Sequence, residues 1–116
     1  MRVQEDPRFE RHGPHLTTRV SVSVSEAVLG GRVPVATLDQ GPATVRIPPA
    51  TQGGQRLRVR GKGLEMPNGR RGDLIVVVDI WIPEVFDEDA RRLIREFGER
   101  TAGPGRLSGE RATVQP

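Results

Sequence analysis

At 116 residues, 34% of them hydrophobic, with 14 glycines and 10 prolines, the chain has room for one thin-cored domain of short elements joined by turns, which excludes two large domains. With no cysteine, a disulfide framework, a thiol nucleophile and thiolate zinc sites are excluded; with no apolar run of roughly 18 residues, neither a membrane span nor a signal peptide is expected, and the chain reads as soluble and cytoplasmic. The net charge of +3 comes from 18 basic and 15 acidic residues so interspersed that charge alone does not mark a polyanion-binding protein.

Residues 1–15 are polar, punctuated by Pro7, Gly13 and Pro14 and anchored by Phe9, and are expected to be a lead-in segment. From Leu16 to Val24 the chain alternates at period 2, with Leu16, Thr18, Val20, Val22 and Val24 on one face, which predicts a half-buried strand. Ser25 is placed to cap a single helical turn that the pair Gly30 and Gly31 ends. A second strand is expected over 32–38, at a sheet edge because Pro34 cannot donate to a ladder. Asp39 to Pro42 reads as a turn, Ala43 to Ile47 as a strand stopped by Pro48 and Pro49, and Gln55 to Arg60 as a further alternating strand. Residues 61–72 form a glycine-rich loop before the most apolar run, Asp73 to Ile82, whose β-branched residues predict a central strand buried on both faces.

After Pro83 the period becomes helical. Ala90, Leu93, Ile94 and Phe97 fall at i, i+3, i+4 and i+7, Asp87 to Asp89 occupy the first turn, and Glu88 with Arg92 and Glu96 with Arg100 are spaced as ion pairs. The organisation expected is therefore a segment over 1–15, a β-domain over 16–83, an amphipathic helix over 87–100 and a disordered tail over 101–116. The fold class is all-β, two small packed sheets with one short helix and a C-terminal helix.

Catalytic chemistry is sought and not found. His12 and His15 are separated by Gly-Pro, which breaks the helix that would bring both onto one face, so no metal is assigned. Gly61-Lys62-Gly63 lacks the four-residue spacing and the hydroxyl of a phosphate loop, and reads as a bend. Gly-x-Ser-x-Gly is absent, and the carboxylates at 84 and 87–89 are explained by a helix N-terminus. No enzyme activity and no cofactor are expected. Arg56, Arg58 and Arg60 form a basic stripe without interleaved aromatics, the surface of an alternative reading as a nucleic-acid-binding module, though none is expected. Val33 and Val35 beside the strand from Leu16 predict a shallow groove whose edge accepts an extended peptide by strand addition.

Several stretches then take on a recognisable order: Asp6-Pro7-Arg8-Phe9-Glu10-Arg11-His12-Gly13, Val22 to Gly30, Thr37-Leu38-Asp39, Ile47 to Gly54, Leu57 to Gly63, and Gly72-Asp73-Leu74. Their sequence and spacing over about residues 6–100 resemble the C-terminal peptide-binding region of DnaJ-type co-chaperones, the J-domain proteins that pass clients to the seventy-kilodalton heat-shock chaperone, and within it the second of two tandem β domains. By that resemblance the segment before Asp6 leaves a preceding domain. The resemblance implies a client groove between the strand from Leu16 and the strand from Arg32, at Thr18, Val20, Val35 and Thr37. It also implies a dimerisation helix carrying Ala90, Leu93, Ile94 and Phe97, and the heat-shock chaperone as a partner through the parent protein.

Val33 and Ala36 stand where family members carry basic groove residues for the partner's acidic tail, so tail binding is not expected of this copy. Ala36 replaces a common proline and Ala50 a frequent glycine. No His-Pro-Asp triplet and no cysteine-rich repeat occurs, so functions resting on them are not expected here. The resulting expectation is a homodimerising, client-binding chaperone module, with nucleic-acid binding or a purely structural dimer spacer as alternatives.

Overall fold

The computed structural model describes residues 6–104. In chain order the elements are β1 (Glu10–His12), β2 (His15–Ser23), α1 (Val24–Leu29), β3 (Gly31–Val35), β4 (Ala43–Ile47), β5 (Arg56–Val59), β6 (Leu74–Trp81) and α2 (Glu88–Arg100). They fall into two units, one ending at Ile82 and one beginning at Pro83. The first holds a four-stranded sheet in the order β1-β2-β6-β5 and a two-stranded sheet of β3 with β4. The mostly β architecture with two small sheets and a C-terminal helix is the one the sequence predicts.

β6 is central because its apolar run can pair on both sides. It runs parallel to β2, Leu16 opposite Leu74 and Val22 opposite Ile80, and antiparallel to β5. A parallel pair needs a long connection, and here it carries α1 and the β3–β4 ribbon. Leu74, Val76 and Val78 are wholly buried, and with Leu16, Val22 and Ile47 they form the centre of the core. Each such side chain contributes about 1.5–3 kcal/mol by leaving water. β6 has buried residues on both faces, Val77 lying on the face opposite Leu74, Val76 and Val78, but the second face is covered only in part: Ile75 and Asp79 are half-buried, and the Asp79 carboxylate accepts from Arg19 across the pair at 2.7 Å.

Several boundaries differ from those read in the sequence. The lead-in segment contains a strand, β1, whose pairing with β2 rests on main-chain bonds that an all-exposed, polar triplet does not advertise. Ser23, not Ser25, caps α1. Its Oγ accepts from the Glu26 N–H at 3.1 Å while the Glu26 carboxylate accepts from the Ser23 N–H at 2.9 Å, a reciprocal capping box. Val24 therefore belongs to the helix rather than to the strand. Gly30 ends α1 at φ 83°, packed so that a Cβ would lie 2.8 Å from the Ile47 carbonyl oxygen. β3 ends at Val35, and Pro34 is accommodated because a two-stranded ribbon leaves each strand one unpaired edge.

The glycine-rich loop is stitched rather than loose. Gly63 N–H donates to Gly72 O at 2.9 Å, Gly72 N–H to Leu64 O at 3.1 Å, and Leu64 N–H to the Pro14 carbonyl at 2.8 Å. A Cβ on Gly72 would overlap that same carbonyl group. Arg71 clips the loop down, donating to Gly63 O at 2.8 Å and pairing with Asp39 at 3.2 Å and Glu65 at 3.3 Å.

In the second unit, Asp87 caps α2 through a bond from the Asp89 N–H, and no residue of the helix is buried. Arg92 pairs with Asp89 at 3.6 Å and Glu96 at 3.3 Å, whereas the pairs Glu88 with Arg92 and Glu96 with Arg100 read from spacing are not formed. The tail expected over 101–116 lies, from residue 105 on, outside the described residues. Among the described residues no helix is long and apolar enough to cross a membrane.

Candidate functional site

Along β2 the side chains at 16, 18, 20 and 22 turn toward the core, but they are not buried alike. Leu16 and Val22 are 0% and 1% exposed, while Thr18 and Val20 between them are half-buried. The core face is thus sealed at both ends of the strand and open in its middle. Over that opening lies a cleft of about 650 Å³. On the core side Val20, Val35, Pro34 and Phe9 line it, and its lining continues on the opposite face of the sheet at Glu10, Arg19, Arg56 and Val77, with Arg8 beside them. Phe9, 7% exposed, packs into the core cluster, and the guanidinium of Arg8 sits 5.0 Å above its ring.

The main chain beside this cleft is also open. Leu16 N–H donates to the Asp73 carbonyl at 3.0 Å, so the N–H and C=O groups of 16, 18, 20 and 22 face β6, and those of 17, 19 and 21 face the opposite edge. There β1 pairs with His15 to Thr17 and stops. Beyond it the outward groups of Arg19 and Ser21 have no neighbouring strand among the described residues, and Ser23 N–H is already held by Glu26.

Two of the cleft's cations have partners within the molecule. Arg8 donates to Asp6 through Nε at 3.1 Å and Nη2 at 2.8 Å, which with the Arg8 N–H holds the Asp6 carboxyl below the usual carboxylate range. Arg19 pairs with Asp79 at 2.7 Å. On β5, Arg58 lies 2.7 Å from the Asp73 carboxylate, so the arginine stripe is interrupted by an internal ion pair.

Of the residues expected to line a groove, Thr18, Val20 and Val35 come together in the cleft. Thr37 does not. It is 5% exposed, its Oγ1 donating to Gly41 O at 2.6 Å and accepting from the Gln40 N–H at 3.0 Å, because the chain has left β3 at Val35 and Thr37 now anchors the following turn. The wall formed by Pro7 to Glu10 escaped sequence reading. Its signal was Asp6-Pro7, an aspartate before proline whose carboxylate folds back on the main chain two residues on.

On α2 the predicted stripe is exposed: Leu93 57%, Ile94 56% and Phe97 43%, with Ala90 half-buried. The two histidines do not form a site. His15 Nδ1 accepts from the Asp73 N–H at 3.0 Å, while His12 lies 3.7 Å from Glu10. Among the described residues no three His, Asp or Glu side chains gather as metal ligands would.

A family model described as DnaJ C terminal domain matches residues 1–83. Over 101 residues, 87% of this chain, the sequence is 42% identical to chaperone protein DnaJ 1 of Streptomyces avermitilis, covering 26% of that protein. It is 38% identical over 100 residues to chaperone protein DnaJ of Thermotoga maritima, covering 86% of this chain and 27% of that one. Chaperone protein DnaJ of Treponema denticola is 37% identical over 95 residues, covering 82% and 25% respectively. The chain spans about a quarter of the length of these relatives.

Proposed function

The chain belongs to the DnaJ C terminal domain family, and from that premise we propose that its β unit holds extended segments of unfolded client polypeptides by strand addition at the edge of β2. The observation that carries this is the coincidence of two openings at one place. Arg19 and Ser21 turn outward main chain that no strand among the described residues pairs, and directly behind them Thr18 and Val20 leave the core face uncovered beside Val35. An extended peptide satisfies both at once, its main chain on the edge and its alternate side chains in the cleft.

The magnitudes suit a holding function. Two outward residues offer an N–H and a C=O each, and a net hydrogen bond contributes about 0.5–1.5 kcal/mol. A Val-sized side chain seated against Val20 and Val35 adds about 1.5–3 kcal/mol. After the cost of ordering the peptide, binding is weak and quickly reversed, as a protein that must release its client requires. No bond is made or broken, so the reading calls for no catalytic residue and no cofactor.

The same reading gives α2 to self-association: Leu93, Ile94 and Phe97 meet their counterparts in a second copy, making a homodimer. The longer protein acts in the cytoplasm with the seventy-kilodalton heat-shock chaperone. The names of the relatives, chaperone protein DnaJ, support the chaperone reading. The direct test is Val20→Glu, which puts a charge against the apolar lining at a half-buried position. Affinity for a labelled unfolded peptide is expected to fall by at least about tenfold, roughly 1.4 kcal/mol. Unchanged affinity in a folded variant sinks the assignment and leaves a structural spacer.

A further inference from the structure

β1 ends where its own register does not require it to end. Glu10 faces Thr17 and His12 faces His15, the pairs whose main chains point at each other. Two residues further along, the same register sets Arg8 against Arg19 and Asp6 against Ser21. Pro7 is no obstacle, because in that register its missing N–H falls on the side away from β2. Phe9 would face Thr18, on the core side where it already lies.

Both main-chain groups of Arg8 are instead taken by side chains. Its N–H donates to Asp6 Oδ1 at 3.0 Å, and its C=O accepts from Thr18 Oγ1 at 2.8 Å. The Asp6 turn is closed further by the Phe9 N–H, which donates to Asp6 O at 3.2 Å, and by the guanidinium of Arg8 on the same carboxylate. Short polar side chains compete with ladders in this way, offering the main chain a local partner in place of a strand.

We infer that Asp6 and Thr18 are positioning residues that keep the acceptor edge of β2 open, by capturing the main chain of Arg8 and so preventing β1 from growing over Arg19. Without them the molecule's own segment pairs with the edge. A tethered strand competes at high effective concentration with any peptide from solution. The inference rests on the strand-addition reading for its functional meaning, but the capture itself is tested without a client.

The experiment is amide hydrogen exchange by NMR on the full chain, comparing the wild type with Asp6→Ala and with Asp6→Asn, whose side-chain oxygen still accepts from the Arg8 N–H. With no peptide present, the Arg19 amide is expected to exchange at least about tenfold more slowly in Asp6→Ala and at the wild-type rate in Asp6→Asn. Simple loss of structure moves exchange the other way, so unchanged or faster exchange at Arg19 in Asp6→Ala overturns the inference. Added unfolded peptide is expected to bind Asp6→Ala several-fold more weakly than the wild type, and equal affinity despite a protected Arg19 overturns the strand-addition reading instead.

Discussion

The N–H of Ala50 donates to the carbonyl oxygen of Val28 at 3.1 Å while Ala50 itself is held at φ 61°, in the left-handed region that an alanine adopts only under strain. The neighbouring Thr51 fixes this geometry, its N–H donating to Ala27 O at 2.9 Å and its hydroxyl to Pro48 O at 2.5 Å. The chain end of α1 is thereby tied to the loop after β4. Glycine carries no Cβ penalty at such a position. Ala50→Gly is expected to stabilise the β unit by about 0.5–1 kcal/mol, a rise of several degrees in melting temperature. A lower melting temperature contradicts the assigned backbone geometry.

Asp73 joins three segments, accepting from the Gly61 N–H at 2.9 Å and from Arg58 at 2.7 Å while its own N–H reaches His15. Its carboxyl is held below the usual carboxylate range chiefly by the Gly61 bond; burial opposes this as the next largest effect, and the charge of Arg58 and its hydrogen bond add to the lowering. A depressed folded value means that the stabilisation is complete above the unfolded value of about 4 and is lost as pH falls through the lower folded value. In denaturant melts, Asp73→Asn is therefore expected to be less stable than the wild type at neutral pH, with the gap closing as pH falls below about 4. A gap that stays constant or widens toward acid contradicts the role assigned to this carboxylate.

A helix of 13 residues is marginal in water when its apolar stripe is uncovered. Replacing Leu93 and Phe97 together by glutamate removes the stripe without touching the Asp87 cap. Light scattering on the full chain is expected to show a dimer for the wild type and half that mass for the double variant, with reduced helical circular dichroism. Equal masses contradict the dimer role of α2.

Much of the architecture was legible because burial enforces period. The alternation from Leu16 to Val22 and the apolar run from Leu74 correspond to β2 and β6, and the i, i+3, i+4, i+7 spacing of Ala90 to Phe97 to α2. Polar local bonds were harder to read. Ser23 and Ser25 are equally good caps in isolation, and only Glu26 at the third helical position selects Ser23. β1 has no buried side chain to betray it. Thr37 is groove lining only by the family resemblance, on a strand expected to run to residue 38; β3 ends at Val35, and Thr37 anchors the turn that follows. The cleft was half legible: alternation places Thr18 and Val20 on one face and the family resemblance sets them with Val35, whereas the wall from Pro7 to Glu10 depends on a side-chain-to-main-chain bond that no hydrophobic pattern encodes.

Titrating the full chain with an unfolded peptide while following main-chain amides residue by residue probes the heart of the account. Saturating peptide is expected to slow exchange of the Arg19 and Ser21 amides at least about tenfold and to shift the methyl signals of Val20 and Val35, leaving the amides of β5 as they were. Peptide that binds with Arg19 and Ser21 still exchanging freely, or that perturbs only the face of Leu93 and Phe97, contradicts strand addition at β2.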